Sequence, residues 1–269
     1  MNKIYFIIIS FLVILFTACS GTVQASKSVS NPYKGKYVSA YLIGEHESVA
    51  SVKEKLSSAG FEVLAKYSPV SKGTTIIFTN AAVLRVFIDD KMKMISFTNP
   101  IYFGKAFMQD DFDYKVYTQQ LEAINSVFSE LGASKDKMKF EDLASYHFML
   151  GMPYYQNQDI LAGGSTSELL AKAKNYKNGK FLVFELKLSD DAILLGYELH
   201  KKTKKFIKKI GRSNAAILPW TISIDHGKAK ALNAKYYVAI SCPLLTMNDF
   251  MGIATVPGAI TKELEKVFR

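Results

Sequence analysis

The sequence predicts an α+β fold: two related β-α-β-β-(α)-β-β modules in tandem, a pseudo-dimer within one chain, joined by a helical linker and preceded by a cleaved signal peptide. Three observations carry that prediction. "NAAIL" at 214–218 nearly repeats "NAAVL" at 80–84. A Ser-led helical segment, a Gly and a Phe-opened alternating strand follow one another in both "SVASVKEKLSSAGFEVLAKYSP" (48–69) and "STSELLAKAKNYKNGKFLVFELKLS" (165–189). Finally, "NAAVLRVFIDDKMKMISFTNPIYFGKAFM" (80–108) parallels "NAAILPWTISIDHGKAKALNAKYYVAISCP" (214–243), each holding a strand, an acidic turn, a second strand and an aromatic pair. With 269 residues, 49% hydrophobic and 22% charged, the chain has the length for one large or two small cores, and its composition excludes a disordered or fibrous protein.

Residues 1–18 come first in chain order. Lys3 precedes the apolar run from Tyr5 to Phe16, and Thr17-Ala18 gives a small-residue exit, the pattern of a secretory signal. The run is too short to span a bilayer comfortably. "FTAC" (16–19) resembles the lipobox of bacterial lipoproteins, with Phe16 standing where that family usually has Leu. The resemblance implies lipidation of Cys19, and two or more acyl chains anchor stably where one does not. Ser20, in place of Asp, is similar to the default outer-membrane sorting signal, so the expected location is the cell envelope, lipid-anchored and facing the periplasm. A plain cleaved signal or an uncleaved anchor are the alternatives. Residues 19–36, small and polar after Cys19, read as a tether reaching roughly 20 Å by random-coil scaling.

The first module is expected over 37–113. Val49, Val52, Leu56 and Ala59 recur at helical spacing and Gly60 is the stop. "KMKMI", with Met92 and Met94 alternating with Lys, reads as a half-buried strand. A helical linker is expected over 114–145, where "YKVYTQQLEAINSVFSELG" has a strong helical period. The second module, 146–269, reads as strands near 146–152, 180–188, 191–199, 216–224 and 228–241 with helices near 166–177 and 201–210, and a last helix after Pro257-Gly258. Ser165 and Glu168 form a candidate capping box, and "DHGK" (225–228) a hairpin turn. The spacing between the copies is 119 residues at Gly60/Gly179 and 134 at Asn80/Asn214, so the second carries about 15 extra residues, "LHKKTKKFIKKIGRS".

The second copy resembles the bacterial family catalogued as domain of unknown function 302, on this element order and on Leu218-Pro219 before the final hairpin "WTISIDHGKAKAL". The likeness extends well over 146–245 and weakly over 37–108. The first copy departs from it by placing Leu84-Arg85 where Leu-Pro is expected. The resemblance implies a fold, and a tendency of such domains to pair; it brings no activity and no catalytic residues.

The net charge of +10 is concentrated: Lys201, Lys202, Lys204, Lys205, Lys208, Lys209 and Arg212 lie within one short element free of acids. That element reads as a solvated helix face or as a contact for anionic headgroups or an acidic partner. Nucleic acid is not an expected partner of an exported lipoprotein. His147, Met149 and Met152 have the donor types of a soft-metal site, but 147 and 149 share a strand face that 152 does not, so packing is the reading and no metal or cofactor is predicted. Asp110, Asp111 and Asp113 lack the Gly and distal Glu of a calcium loop. No serine-hydrolase, zinc-protease, Cys-x-x-Cys or phosphate-loop pattern occurs, and Cys242 stands in an apolar run that raises a thiol's pKa. The expected function is therefore a binding or assembly component, or a carrier of a small molecule or soft metal, and the groove between modules is where a ligand is expected. Asn99, Tyr102, Phe103, Lys105 and Phe107 in the first copy, and Tyr236 and Tyr237 in the second, are the candidate partner or ligand surface.

Overall fold

In the computed structural model, which describes residues 31–79 and 83–269, both expected Ser-led helices begin at their serines. The Ser48 and Ser165 side chains accept hydrogen bonds from the N–H groups of Ser51 and Glu168, satisfying donors that the first helical turn leaves unpaired. The first helix stops at Gly60, whose φ of 82° suits a residue without a Cβ. The secretory signal, Cys19 and the Asn80-Ala81-Ala82 half of the repeated pentapeptide lie outside the described residues.

The chain order from Tyr33 onward is β1 (Tyr37–Ser39), β2 (Tyr41–Glu45), α1 (Val49–Ser58), β3 (Glu62–Val70), β4 (Gly73–Thr79), β5 (Val83–Asp89), β6 (Met94–Thr98), α2 (Pro100–Met108), α3 (Tyr114–Val127), β7 (Gly132–Ala133) and β8 (Lys137–Lys139). It continues with β9 (Asp159–Gly163), α4 (Thr166–Asn175), β10 (Leu182–Lys187), β11 (Ala192–Tyr197), α5 (Ile207–Ile210), β12 (Trp220–Asp225), β13 (Lys228–Ala231), α6 (Ala234–Ser241), α7 (Met247–Met251) and α8 (Val256–Glu265). The fold is α+β. One antiparallel sheet has the strand order β3-β4-β5-β6-β2-β7, the other β10-β11-β12-β13-β9, and β1 pairs with β8. With β7 set aside, the two orders correspond strand for strand.

Several expected elements are corrected. Residues 146–152 form no strand: Gly151, at φ 81°, and Pro153 break an aromatic and Met-rich run, and the second sheet's first strand is β9. The expected strand 228–241 ends at Ala231, because the Asn233 side chain accepts from Lys235 N–H and starts α6, overriding the β-propensity of "YYVAI". Tyr102-Phe103 likewise stand on a helix, α2, capped by Asn99 through Ile101 N–H. The 201–210 helix is a 3-10 turn (Thr203–Phe206) followed by α5. Met92 lies in the β5–β6 turn, 59% exposed, with the strand starting at Met94. The linker supplies α3 and then the edge strand β7. The "DHGK" hairpin forms as expected, Asp225 pairing with Lys228 around His226 and Gly227, both at positive φ.

Each sheet is covered on one face by helices. Against the first, Val52 and Leu56 of α1, with Ile124 of α3 and Phe128 beyond it, bury Ile76, Phe78, Leu84, Val86, Ile88, Ile95 and Phe97. Against the second, Leu169 and Ala173 of α4 and Ile260 and Leu264 of α8 join Ile193, Leu195, Ile222 and Ile224 in one cluster. Alternation then turns Arg85, Phe87 and Asp89 of β5, and Thr221 and Ser223 of β12, to the opposite faces.

Candidate functional site

Those opposite faces meet, and the layer between the sheets sets buried polar groups among apolar ones such as Ile77 and Phe87. Thr75, Asp89 and Ser96 are fully buried there, Thr98 and Arg85 nearly so. Arg85 Nη2 donates to the Pro219 carbonyl at 3.2 Å and to Thr221 Oγ1 at 2.7 Å on the facing strand. At the other end of β5 the Asp89 carboxylate accepts from Arg212 Nε at 2.7 Å and from the N–H groups of Lys91 and Met92 at 2.9 and 3.1 Å. Arg212 Nη2 also donates to the carbonyls of Ser71 and Lys72 at 2.7 and 2.6 Å. One guanidinium thus ties the β3–β4 turn and the end of β5 to the segment that follows α5.

Helices α2 and α6 form a second junction between the halves. Tyr102 Oη donates to the Ile240 carbonyl at 2.8 Å and Tyr236 Oη to the Ala106 carbonyl at 3.4 Å. Tyr102 and Tyr236, like Ala106 and Ile240, stand 134 positions apart, so the two bonds are reciprocal. Both helices start at an Asn cap, Asn99 and Asn233.

Between the sheets and α2 lies a half-open cavity of ≈ 330 Å³, walled by Phe103, Phe107, Leu194, Trp220 and Tyr237, with Arg85, Thr98, Thr221, Ser223, Lys230, Gln158 and Tyr41 among its polar lining residues. Trp220 packs edge-on to Tyr237 at 4.9 Å, and Phe107 stacks on Tyr155 at 5.8 Å. The Tyr41 hydroxyl is buried without a hydrogen-bond partner, and burial pushes its pKa well up, as it does for Tyr237. At neutral pH the cavity therefore offers neutral hydroxyls and two cations, Arg85 and Lys230, the latter 3.3 Å from Asp225.

Of the residues singled out from sequence, Phe103, Phe107 and Tyr237 line this cavity. Tyr102 and Tyr236 are buried at the α2–α6 junction, and Asn99 caps α2 while donating to the Ser39 carbonyl at 2.8 Å. Lys105 donates to the Gln109 carbonyl at 2.6 Å, at the end of its own helix. The basic element divides: Lys201, Lys202, Lys205, Lys208 and Lys209 are exposed, Lys204 pairs with Glu198 and lies over the Tyr67 ring, and Arg212 is the clamp on Asp89. Arg85 was missed. Its signal was a lone cation inside the apolar strand "VLRVFI", at a position where the similar segment "NAAILP" has Pro219.

Cys242 is 2% exposed beside an open cleft of ≈ 600 Å³ that Asp136 and Asn214 also line, and burial pushes its thiol pKa well up, away from the reactive thiolate. No histidine lines that cleft among the described residues. Nor, among the described residues, do three His, Cys, Asp or Glu side chains come together as a metal site. Among those residues, no helix is long and apolar enough to cross a membrane. Together, two facing antiparallel sheets and a half-open, mostly apolar pocket with a few convergent polar groups define an α+β protein with the geometry of a small-molecule site. No family model matches the chain, and neither a curated protein nor a solved structure matches it.

Proposed function

We propose that the chain is a membrane-tethered binding component of the cell envelope, anchored through a lipidated Cys19 and facing the periplasm. Its folded part is a duplicated α/β module, of the type found in the domain of unknown function 302 family, whose copies close on each other as an intramolecular pseudo-dimer. The matching strand orders, the paired Asn caps and the reciprocal tyrosine bonds support duplication. The sequence of residues 16–20 supports the anchor. The single observation that carries the binding role is the half-open pocket lined from both sheets. It favours a small-molecule carrier or sensor over a purely structural assembly role, because an interface built only for cohesion gains by filling such a space.

Native mass spectrometry of the chain from Ser20 to Arg269, produced in the periplasm and purified gently, tests the binding role. A reproducible mass excess is expected; a clean apo chain that also takes up nothing from a metabolite mixture contradicts it. For the anchor, Cys19→Ser is expected to move the full chain from the membrane fraction to the soluble periplasm. An unchanged membrane fraction contradicts lipidation at that residue.

A further inference from the structure

We propose that the inter-sheet cavity binds a small organic monocarboxylate with an apolar body, whose carboxylate is held by Arg85; this rests on the binding role above and names its ligand class. A guanidinium stays charged at any pH a protein survives, and a buried charge is strongly unfavourable unless it is paired and hydrogen-bonded. Arg85 is 7% exposed. Its Nη2 is satisfied by two uncharged acceptors, Pro219 O and Thr221 Oγ1. Nε is buried with no acceptor, and Nη1 has none among the described residues. No carboxylate of the described residues forms an ion pair with it, all the ion-paired acids being committed to other cations.

The contrast with Arg212 is informative. Both arginines lie between the halves, yet Arg212 has the Asp89 carboxylate as partner and two backbone carbonyls around it, while Arg85 faces a cavity. A purely structural cation would have been supplied with its acid, as Arg212 is. The other cation of the cavity, Lys230, has Asp225 beside it, so one positive charge is left over and a single negative charge balances it. The walls set the rest of the ligand. Phe103, Phe107, Trp220 and Tyr237 present apolar and aromatic surface that an inorganic ion would leave unfilled. A volume of ≈ 330 Å³ suits a short-chain or single-ring acid.

Trp220 is the chain's one tryptophan, 1% exposed in the cavity wall, so intrinsic fluorescence reads occupancy directly. The purified full chain in a non-ionic detergent is titrated with 3-phenylpropionate, with its neutral isostere 3-phenylpropanamide, and with sulfate. The expected result is a saturable Trp220 change with the acid, binding of the amide about tenfold weaker or worse, and no change with sulfate. In Arg85→Gln the preference for acid over amide is lost, and in Arg85→Lys part of it is retained. Since the acid-to-amide ratio is measured on the unaltered chain, a variant that fails to fold leaves the test intact. Equal binding of acid and amide overturns carboxylate recognition by Arg85 while leaving a ligand cavity. Sulfate displacing the acid at equal concentration overturns the organic body. No fluorescence change with any of the three up to roughly 10 mM, beyond the weak end of useful affinities, overturns both the ligand class and the cavity as a binding site.

Discussion

The first sheet has two interfaces of opposite chemistry on the same strands. Its helix-covered face is mainly apolar: Phe78 meets Phe97 edge-on at 6.2 Å and Phe97 tilts against Phe128 at 4.7 Å, while Gln120 is a buried polar side chain on α3, four residues before Ile124. Its other face, against the second sheet, buries Thr75, Arg85, Asp89, Ser96 and Thr98. Strand β5 contributes Leu84, Val86 and Ile88 to one and Arg85, Phe87 and Asp89 to the other. A face built only for cohesion needs no buried ions, since well-packed apolar residues do as well or better. The contrast teaches where stability and specificity reside: the helix face holds the module together, and the sheet-to-sheet face sets register between the halves and shapes the cavity.

The contrast is sharpest under truncation of the helix-covered face. Phe97→Ala removes a fully buried ring from the centre of that cluster and is expected to cost about 3–5 kcal/mol of stability, read from the denaturant midpoint. A cost below about 1 kcal/mol would place the dominant core elsewhere.

Alkaline titration addresses the other side. Tyr41, Tyr102 and Tyr237 are buried around the junction of the halves, and desolvation by burial raises the pKa of each. Their folded pKa values exceed the unfolded one, so above about pH 10 the unfolded chain releases protons that the folded chain retains. Stability is then whole below pH 10 and falls as pH rises, by about 1.4 kcal/mol per such tyrosine one unit above it. Denaturant midpoints across pH 8 to 11 read this. A midpoint flat to pH 11 would mean these hydroxyls are wet.

A smaller effect separates the two tyrosines. Tyr102→Phe is expected to cost about 1 kcal/mol and Tyr236→Phe less, because the bonds they lose are 2.8 and 3.4 Å long. Equal or absent costs in melting experiments would argue against the reciprocal junction. The smallest effect belongs to the outer lysines. Lys205→Glu with Lys208→Glu changes an exposed face and is expected to move stability by no more than about 0.5 kcal/mol, while reducing co-sedimentation with anionic vesicles if that face meets a membrane surface. Unfolding of the double variant would show the face to be packed.

What was legible in the sequence was local. The Ser-led helix starts, the Gly60 stop and the Asp225–Lys228 hairpin depend on chemistry within a few residues and formed. The expected capping box at Ser165 is only half made, Glu168 pairing with Lys172 and not with the Ser165 backbone. The apolar runs near 146–152 and 234–241 misled, because aromatic and β-branched residues suit a buried helix or loop as well as a strand; Asn233 was the stronger signal. Least legible were the pairings between halves. Asp89 and Arg212 are separated by 123 positions and Arg85 and Thr221 by 136, distances over which no periodicity speaks. Arg212 read as one of seven similar surface cations, and only the fold distinguishes it from its neighbours.

The central claim is that the two halves form one body closed through a layer of buried polar and apolar groups. A double-mutant cycle on Asp89→Ala and Arg212→Ala tests it most directly, since the pair joins β5 to the second half across 2.7 Å. A coupling free energy above about 1 kcal/mol is predicted for a contact between a fully buried carboxylate and a partly exposed guanidinium. Additive effects, with coupling within about 0.3 kcal/mol of zero, would mean that the two residues do not meet and that the halves do not close in this way.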